Sequence, residues 1–300
     1  MVILAYICAF LNPIAHAGCS LIDSHISNNL FKRYTTIVFY ASLTNCIVIP
    51  FLFLFGMPRL ISWNMAFWIF IVGMIEVLYQ LPYYAALRKI DASIIAALFF
   101  LGKIFLPVIA YLIVDEKLSP TQYIGFFVIV LMSILLNIVH VKKIKINAAF
   151  WLMALVSVVL TLQIVLYKYV IDETDWISAI FYQILFSEAV TISFLFFKKM
   201  RVDIMQSFKT YKSKLKMFLG NEAAFQAGHV AGVFSLAYLP VAIVEGIGAT
   251  QPIFVLAFGY ILAKMFGNRL KESVNRYDII KKLICFIMLI AGVILVVGFS

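Results

Sequence analysis

Charge is what this sequence lacks most. Of 300 residues only 13% are charged while 64% are hydrophobic. A soluble domain carries about 25% charged and 45–50% apolar residues, so a water-exposed shell around one soluble core is excluded. Cysteine is sparse as well. Cys8, Cys19, Cys46 and Cys285 stand apart with no metal-ligand or redox spacing, and they read as packing residues. No phosphate-binding glycine loop, nucleophile elbow or histidine metal pair is present, and Gly246-x-Gly248 inside an apolar run does not substitute for one. These absences argue against an enzyme and an ATP-driven pump, and no metal or cofactor is expected. No basic n-region precedes the first apolar stretch, so that helix is expected to be retained rather than cleaved.

What remains is long apolar stretches, and they make an all-α integral membrane protein. A span needs about 20 predominantly apolar residues. Ten candidates meet that test: Val2–Leu21, Tyr34–Phe55, Met65–Leu87, Ser93–Val114, Tyr123–Val141, Ala148–Tyr169, Trp176–Phe197, Met217–Leu239, Val241–Lys264 and Ile279–Phe299. The joint at Tyr238-Leu239-Pro240 has no charge, and only Pro240 and the combined length divide it. Within Lys198–Lys216, Met205, Phe208 and Tyr211 recur among lysines at helical spacing, the pattern of an interfacial amphipathic helix or of a solvated basic loop. The net charge of +10 would suggest nucleic acid in a soluble chain. Here the basic residues flank apolar spans, where they set topology and meet anionic headgroups, so the lipid bilayer is the expected partner and nucleic acid is not. Twenty of the 24 basic residues fall in the odd-numbered loops, which places those loops in the cytoplasm and both termini outside.

Two runs stand out against this background: Glu76-Val-Leu-Tyr-Gln80 and Glu222-Ala-Ala-Phe-Gln226. Each sets a carboxylate and an amide one helical turn apart in the third span of a group of five. A charge at the bilayer centre costs about 2.5–3.5 kcal/mol on insertion scales, so such residues are seldom neutral passengers. An offset of 149 positions also lays Leu87 on Leu236, Ala92-Ser93-Ile94 on Val241-Ala242-Ile243 and Lys103-Ile104-Phe105 on Pro252-Ile253-Phe254. Three further positions bring Glu116-Lys117-Leu118 onto Asn268-Arg269-Leu270. The common order argues for two five-helix repeats, residues 1–141 and 142–300. An odd number of spans per repeat makes them inverted, a recurring plan of secondary transporters with the site at the repeat interface.

Several stretches resemble a known family. Tyr83-Tyr84-Ala85-Ala86-Leu87, Asp91-Ala92-Ser93, Pro107 and Asp115-Glu116-Lys117-Leu118-Ser119 are similar to the first half of the EamA-like branch of the drug/metabolite transporter superfamily. Thr250-Gln251-Pro252 is similar to its second half. The resemblance implies a ten-helix secondary transporter of small organic metabolites, with a cavity lined mainly by the third, fourth, eighth and ninth helices and contributions from the first and sixth. The chain departs from the pattern at Lys103, where the family tends to have a mid-helix proline, at the degraded turn Asn268-Arg269, and in a charge bias that opposes cytoplasmic termini.

The candidate substrate- or proton-binding residues are Glu76, Gln80, Tyr79, Tyr83, Lys103, Glu222, Gln226 and His229. Glu76 and Gln80 share one helix face, and His229 extends the face of Glu222 and Gln226. Interhelical hydrogen bonding explains such faces equally well. Glu222 lies near the basic loop, where an interfacial position is open to it. Lys103 lies too deep to snorkel and needs a carboxylate or water, with Glu76 on the preceding helix as the expected partner. Tyr79 and Tyr83 could cage an alkylammonium group. Asn12, His16, Gln163 and Glu245 are secondary candidates that serve as packing glue in the plainer reading. Gly228-x-x-x-Gly232 permits close helix packing.

The expectation is alternating-access transport of a small polar metabolite, leaning to an amino acid or another amine-bearing zwitterion. A coupling proton or ion, a monomer or homodimer, and a bacterial cytoplasmic membrane complete it. Broad efflux of lipophilic cations is the alternative within transport. A membrane-embedded enzyme and a non-transporting scaffold subunit are the alternatives outside it.

Overall fold

The computed structural model describes residues 1–31, 33–89, 92–138, 148–255, 257–258 and 276–297. Among these residues there is helix and no strand. The helices are α1 Val2–Asn29, α2 Tyr34–Asn45, α3 Ile49–Leu52, α4 Trp63–Leu78, α5 Gln80–Leu87, α6 Ala92–Leu101, α7 Leu106–Val114, α8 Pro120–Ile138, α9 Ala148–Glu173 and α10 Trp176–Ser193. They continue with α11 Lys198–Ser213, α12 Leu215–Leu236, α13 Val241–Gly248 and α14 Arg276–Val297.

Local chemistry sets these boundaries. Ser62 caps α4 by accepting the Met65 amide, and Asp175 caps α10 by accepting the Ser178 amide. Prolines sit in the first turn of α3, α7 and α8, where a missing N–H costs nothing. Asp115 closes α7 in the left-handed region at φ 48°, a conformation its short polar side chain tolerates. The uncharged joint is real: α12 ends at Leu236 and α13 begins after Pro240. The expected third span bends at Tyr79 between α4 and α5, and the fourth is interrupted by a 3-10 turn at Gly102–Phe105.

Six helical segments are long and apolar enough to cross a membrane: Val2–Ser27, Tyr34–Leu52, Trp63–Ala86, Ala97–Val114, Ala148–Glu173 and Trp176–Phe196. Pro120–Leu136, Val241–Val255 and Leu283–Val297 are shorter apolar helices. Helix α12, which carries Asn221, Glu222, Gln226 and His229, belongs to neither group.

Helix α1 packs along α12, α8 along α14, and α4 between α9 and α10. The α1–α12 seam depends on small residues. A Cβ at Gly228 would stand 2.7 Å from the Ala15 Cβ, and one at Gly232 would overlap the Asn12 amide. Helix α11 is docked rather than solvated. Tyr211 stacks on Tyr40 at 4.2 Å, the Tyr40 hydroxyl donates to the Ile204 carbonyl, and Arg33 pairs with Asp203 at 2.9 Å. Its buried face is Ile204 and Tyr211, while Met205 and Phe208 point outward, so the three apolar residues singled out by spacing divide between two faces. Of the basic segment Lys264–Lys282, residues 264–275, with the turn at Asn268-Arg269, lie outside the described residues.

Candidate functional site

A narrow polar cavity of about 10 Å³, room for roughly one water molecule, lies between α2, α4–α5, α10 and α12. Glu76 and Gln80 project from the first turn-pair of the α4–α5 bend, Glu188 and Gln183 from α10, Ser42 and Asn45 from α2, and Gln226 and His229 from α12. Glu76 Oε2 accepts from Gln163 Nε2 at 2.9 Å, and the same amide nitrogen donates to the Val72 carbonyl. Gln80 folds back to donate to the Glu76 carbonyl at 2.9 Å. Glu188 Oε1 accepts from Ser42 at 3.0 Å, and Ser42 also shares a hydrogen bond with Thr191. His229 Nε2 and Gln183 Oε1 are 3.3 Å apart.

Among the described residues, the wall carries two carboxylates and no lysine or arginine. Its α12 side is aromatic. The rings of His16 and Phe225 lie 4.6 Å apart, and His229 stands nearly parallel to Phe225 and Tyr167 at 6.2 and 6.1 Å. Gln226 Oε1, Asn45 Oδ1, the Tyr167 hydroxyl and His16 Nε2 are buried without a hydrogen-bond partner. Of these four, Asn45 and Gln226 line the cavity. The approach of α4 to α10 that closes the cavity runs through Gly73, whose carbonyl accepts from Ser187. A Cβ there would stand 2.9 Å from the Gln183 carbonyl oxygen.

The expected site residues therefore divide. Glu76, Gln80, Gln226 and His229 line one cavity, with Gln163 bonded behind Glu76 and His16 behind Phe225. Asn12 lies in the α1–α12 seam, where its amide donates to the Gly228 carbonyl. Tyr79 and Tyr83 turn to an apolar cluster with Phe99 at 6.4 and 5.3 Å, and neither lines the cavity. Glu222 is 6% exposed and lies beside Asp23 and Asn221, apart from the cavity.

Lys103 overturns its expected pairing. Its ammonium meets Glu245 at 2.8 Å and lies over the Phe100 ring, with Glu76 out of reach. The physical reason is the turn at Gly102–Phe105, which aims Lys103 across to α13 rather than back toward α4. The pair joins the fourth and ninth apolar segments. The cavity described above lies among the second, third, seventh and eighth segments, whereas the resemblance implies one lined mainly by the third, fourth, eighth and ninth.

Ser42, Asn45, Gln183 and Ser187 escaped the sequence reading. Their signal was present as three- and four-residue spacing on α2 and α10, but hydroxyls and amides are common in apolar helices. Asp23 was missed because α1 continues beyond Leu21 to Asn29.

At the joint outside the apolar segments, Glu116 has a defined task. Its two oxygens accept the backbone amides of Val241 at 2.7 Å and Ala242 at 3.0 Å, capping α13 from the other half of the chain. Burial pushes the Glu116 carboxyl up from the ordinary carboxylate range, and the two amides act against that.

Comparison with known proteins supplies the remaining context. Residues 3–138 match the EamA-like transporter family. No curated protein matches the sequence. A crystal structure, described only as that of a protein, superposes with a TM-score of 0.62 over 97% of this chain and 97% of its own, at 11% sequence identity. That likeness is one of fold.

Proposed function

With residues 3–138 belonging to the EamA-like transporter family, we propose that this multi-pass membrane protein is a secondary transporter of a small amine-bearing metabolite, working by alternating access of two inverted five-helix repeats in a bacterial cytoplasmic membrane. The observation that carries the substrate class is the charge of the cavity. Glu76 and Glu188 share it, while the deep lysine is neutralised by Glu245. Two carboxylates in a cavity with one aromatic wall favour a cation, and the adjoining ring of Phe225 suits an ammonium group. Gln80, Gln183, Gln226 and Asn45 offer amide donors for a carboxylate at the substrate's other end, which keeps an amino acid within the class.

The reciprocal packing supports the repeat. Segment one lies on segment eight (α1 on α12), and segment six lies on segment three (α9 on α4). The offset of 146 residues that relates Glu76 to Glu222 also relates Ser42 to Glu188, which touch, as residues beside a two-fold axis would.

Uptake of a panel of radiolabelled amines and amino acids into proteoliposomes tests the reading. Transport of at least one, reduced 10-fold or more by Glu76→Gln or Glu188→Gln, is expected. Flux confined to bulky lipophilic cations would instead favour broad efflux, and unchanged flux in both variants would end the cavity assignment.

A further inference from the structure

We infer that Asp23, Asn221 and Glu222 form a second site, separate from the substrate cavity, that holds one monovalent cation, either a proton or an alkali-metal ion. The inference rests on the transporter reading and assigns its coupling ion a place.

Charge accounting leads to this site. Lys103 and Glu245 neutralise one another. Asp23 and Glu222 have no such partner: among the described residues, no ion pair reaches either acid. Asn221 stands between them. Its Nδ2 donates to Asp23 Oδ1 at 3.0 Å, and its side chain also bonds Glu222. Asn221 is 2% exposed, yet its Oδ1 has no hydrogen-bond partner. A buried acid, a part-buried acid and a free amide oxygen form an all-acceptor set. Uncompensated carboxylates are costly to bury, and a cation or proton shared between them removes that cost. Oxygen-only ligands suit a hard cation, not a soft one.

Several titratable groups among the described residues surround the site. Facing the site are Cys19, whose thiol donates to the Asn221 carbonyl, and Tyr79, Tyr83 and Tyr84, which lie within electrostatic range of Asp23. Glu188 acts on Glu222 from α10. The guanidinium of Arg88 is directed to the Ser27 and Phe31 carbonyls.

Position makes the site useful. Asp23 belongs to α1 and Glu222 to α12, so an ion held between them ties one half of the chain to the other. Glu188, which lines the cavity, lies within electrostatic range of Glu222, so a charge bound at one site is felt at the other.

Infrared difference spectroscopy on the purified full chain tests this without requiring flux. One arm changes pH with choline as the only added cation, and the other exchanges choline for sodium at constant pH. A carboxyl band responding to pH alone assigns a proton, and one responding to sodium assigns an alkali ion. The response is expected to vanish in Asp23→Asn and Glu222→Gln and to persist in Glu188→Gln. In the wild-type chain, where no substitution can disturb folding, carbon-13 labelling of aspartate must shift part of the band. A wild type silent in both arms, a band that survives both substitutions, or one untouched by the label overturns the site. Because no transported substrate enters, this failure is distinct from a failure of amine uptake.

Discussion

Lys103 and Glu245 meet at 2.8 Å across the two halves of the chain, each about a fifth exposed. Removing one partner of such a pair strands the other charge, whereas removing both does not. Lys103→Met should therefore destabilise by about 3 kcal/mol, the low end for buried pairs, since some water reaches both groups. Lys103→Met combined with Glu245→Met should recover most of the loss. Thermal melts of the purified variants in detergent measure this, and a double variant as unstable as the sum of the singles would refute the coupling.

Two glycines on α12 should respond oppositely to the same change. Gly228 has the Ala15 Cβ 2.7 Å from where its own Cβ would stand, and Gly220 has nothing within 4 Å. Gly228→Ala forces α1 and α12 apart and should lower the melting temperature by several degrees. Gly220→Ala gains helix propensity worth up to about 1 kcal/mol and should raise it. Melts of the two single variants side by side decide the matter.

Six of the ten expected spans reappear among the described residues as helices long and apolar enough to cross a bilayer, because a bilayer imposes a length and a composition, and the glycine seam was legible because close helix approach needs small residues. The partner of Lys103 was not. Sequence order favoured Glu76 on the adjacent helix, whereas the 3-10 turn that redirects Lys103 has no distinctive residue pattern. Asn45 and Gln183 escaped for another reason: an amide in an apolar helix reads the same whether it lines a cavity or bonds a neighbour. The burial of Glu222 was not legible either, since it depends on how α12 packs against α1.

The charge distribution predicts that α11 lies on the cytoplasmic side. A cysteine at the outward-facing position Met205, in a chain otherwise lacking Cys8, Cys19, Cys46 and Cys285, should react with an impermeant maleimide only in inverted vesicles. Reaction in intact cells would place the odd loops outside and both termini in the cytoplasm, as the family resemblance implies.

Glu116 caps a helix that begins 125 residues later in the chain, and its substitution separates capping from charge. Glu116→Ala leaves the Val241 and Ala242 amides without their acceptor at a partly buried helix start. Loss of a cap costs about 1 kcal/mol, and the anionic side chain at a helix N-terminus adds several tenths more. Glu116→Gln keeps one acceptor oxygen and should lose about half as much. Hydrogen exchange at the Val241 and Ala242 amides reads the effect directly, because opening there need not unfold the bundle. Exchange should quicken strongly in Glu116→Ala, less in Glu116→Gln, and remain unchanged in the exposed neighbour variant Lys117→Ala. Equal exchange in all three would show that α13 is held by packing of Val241 to Ile247 alone, and the acid at this joint would then need another explanation.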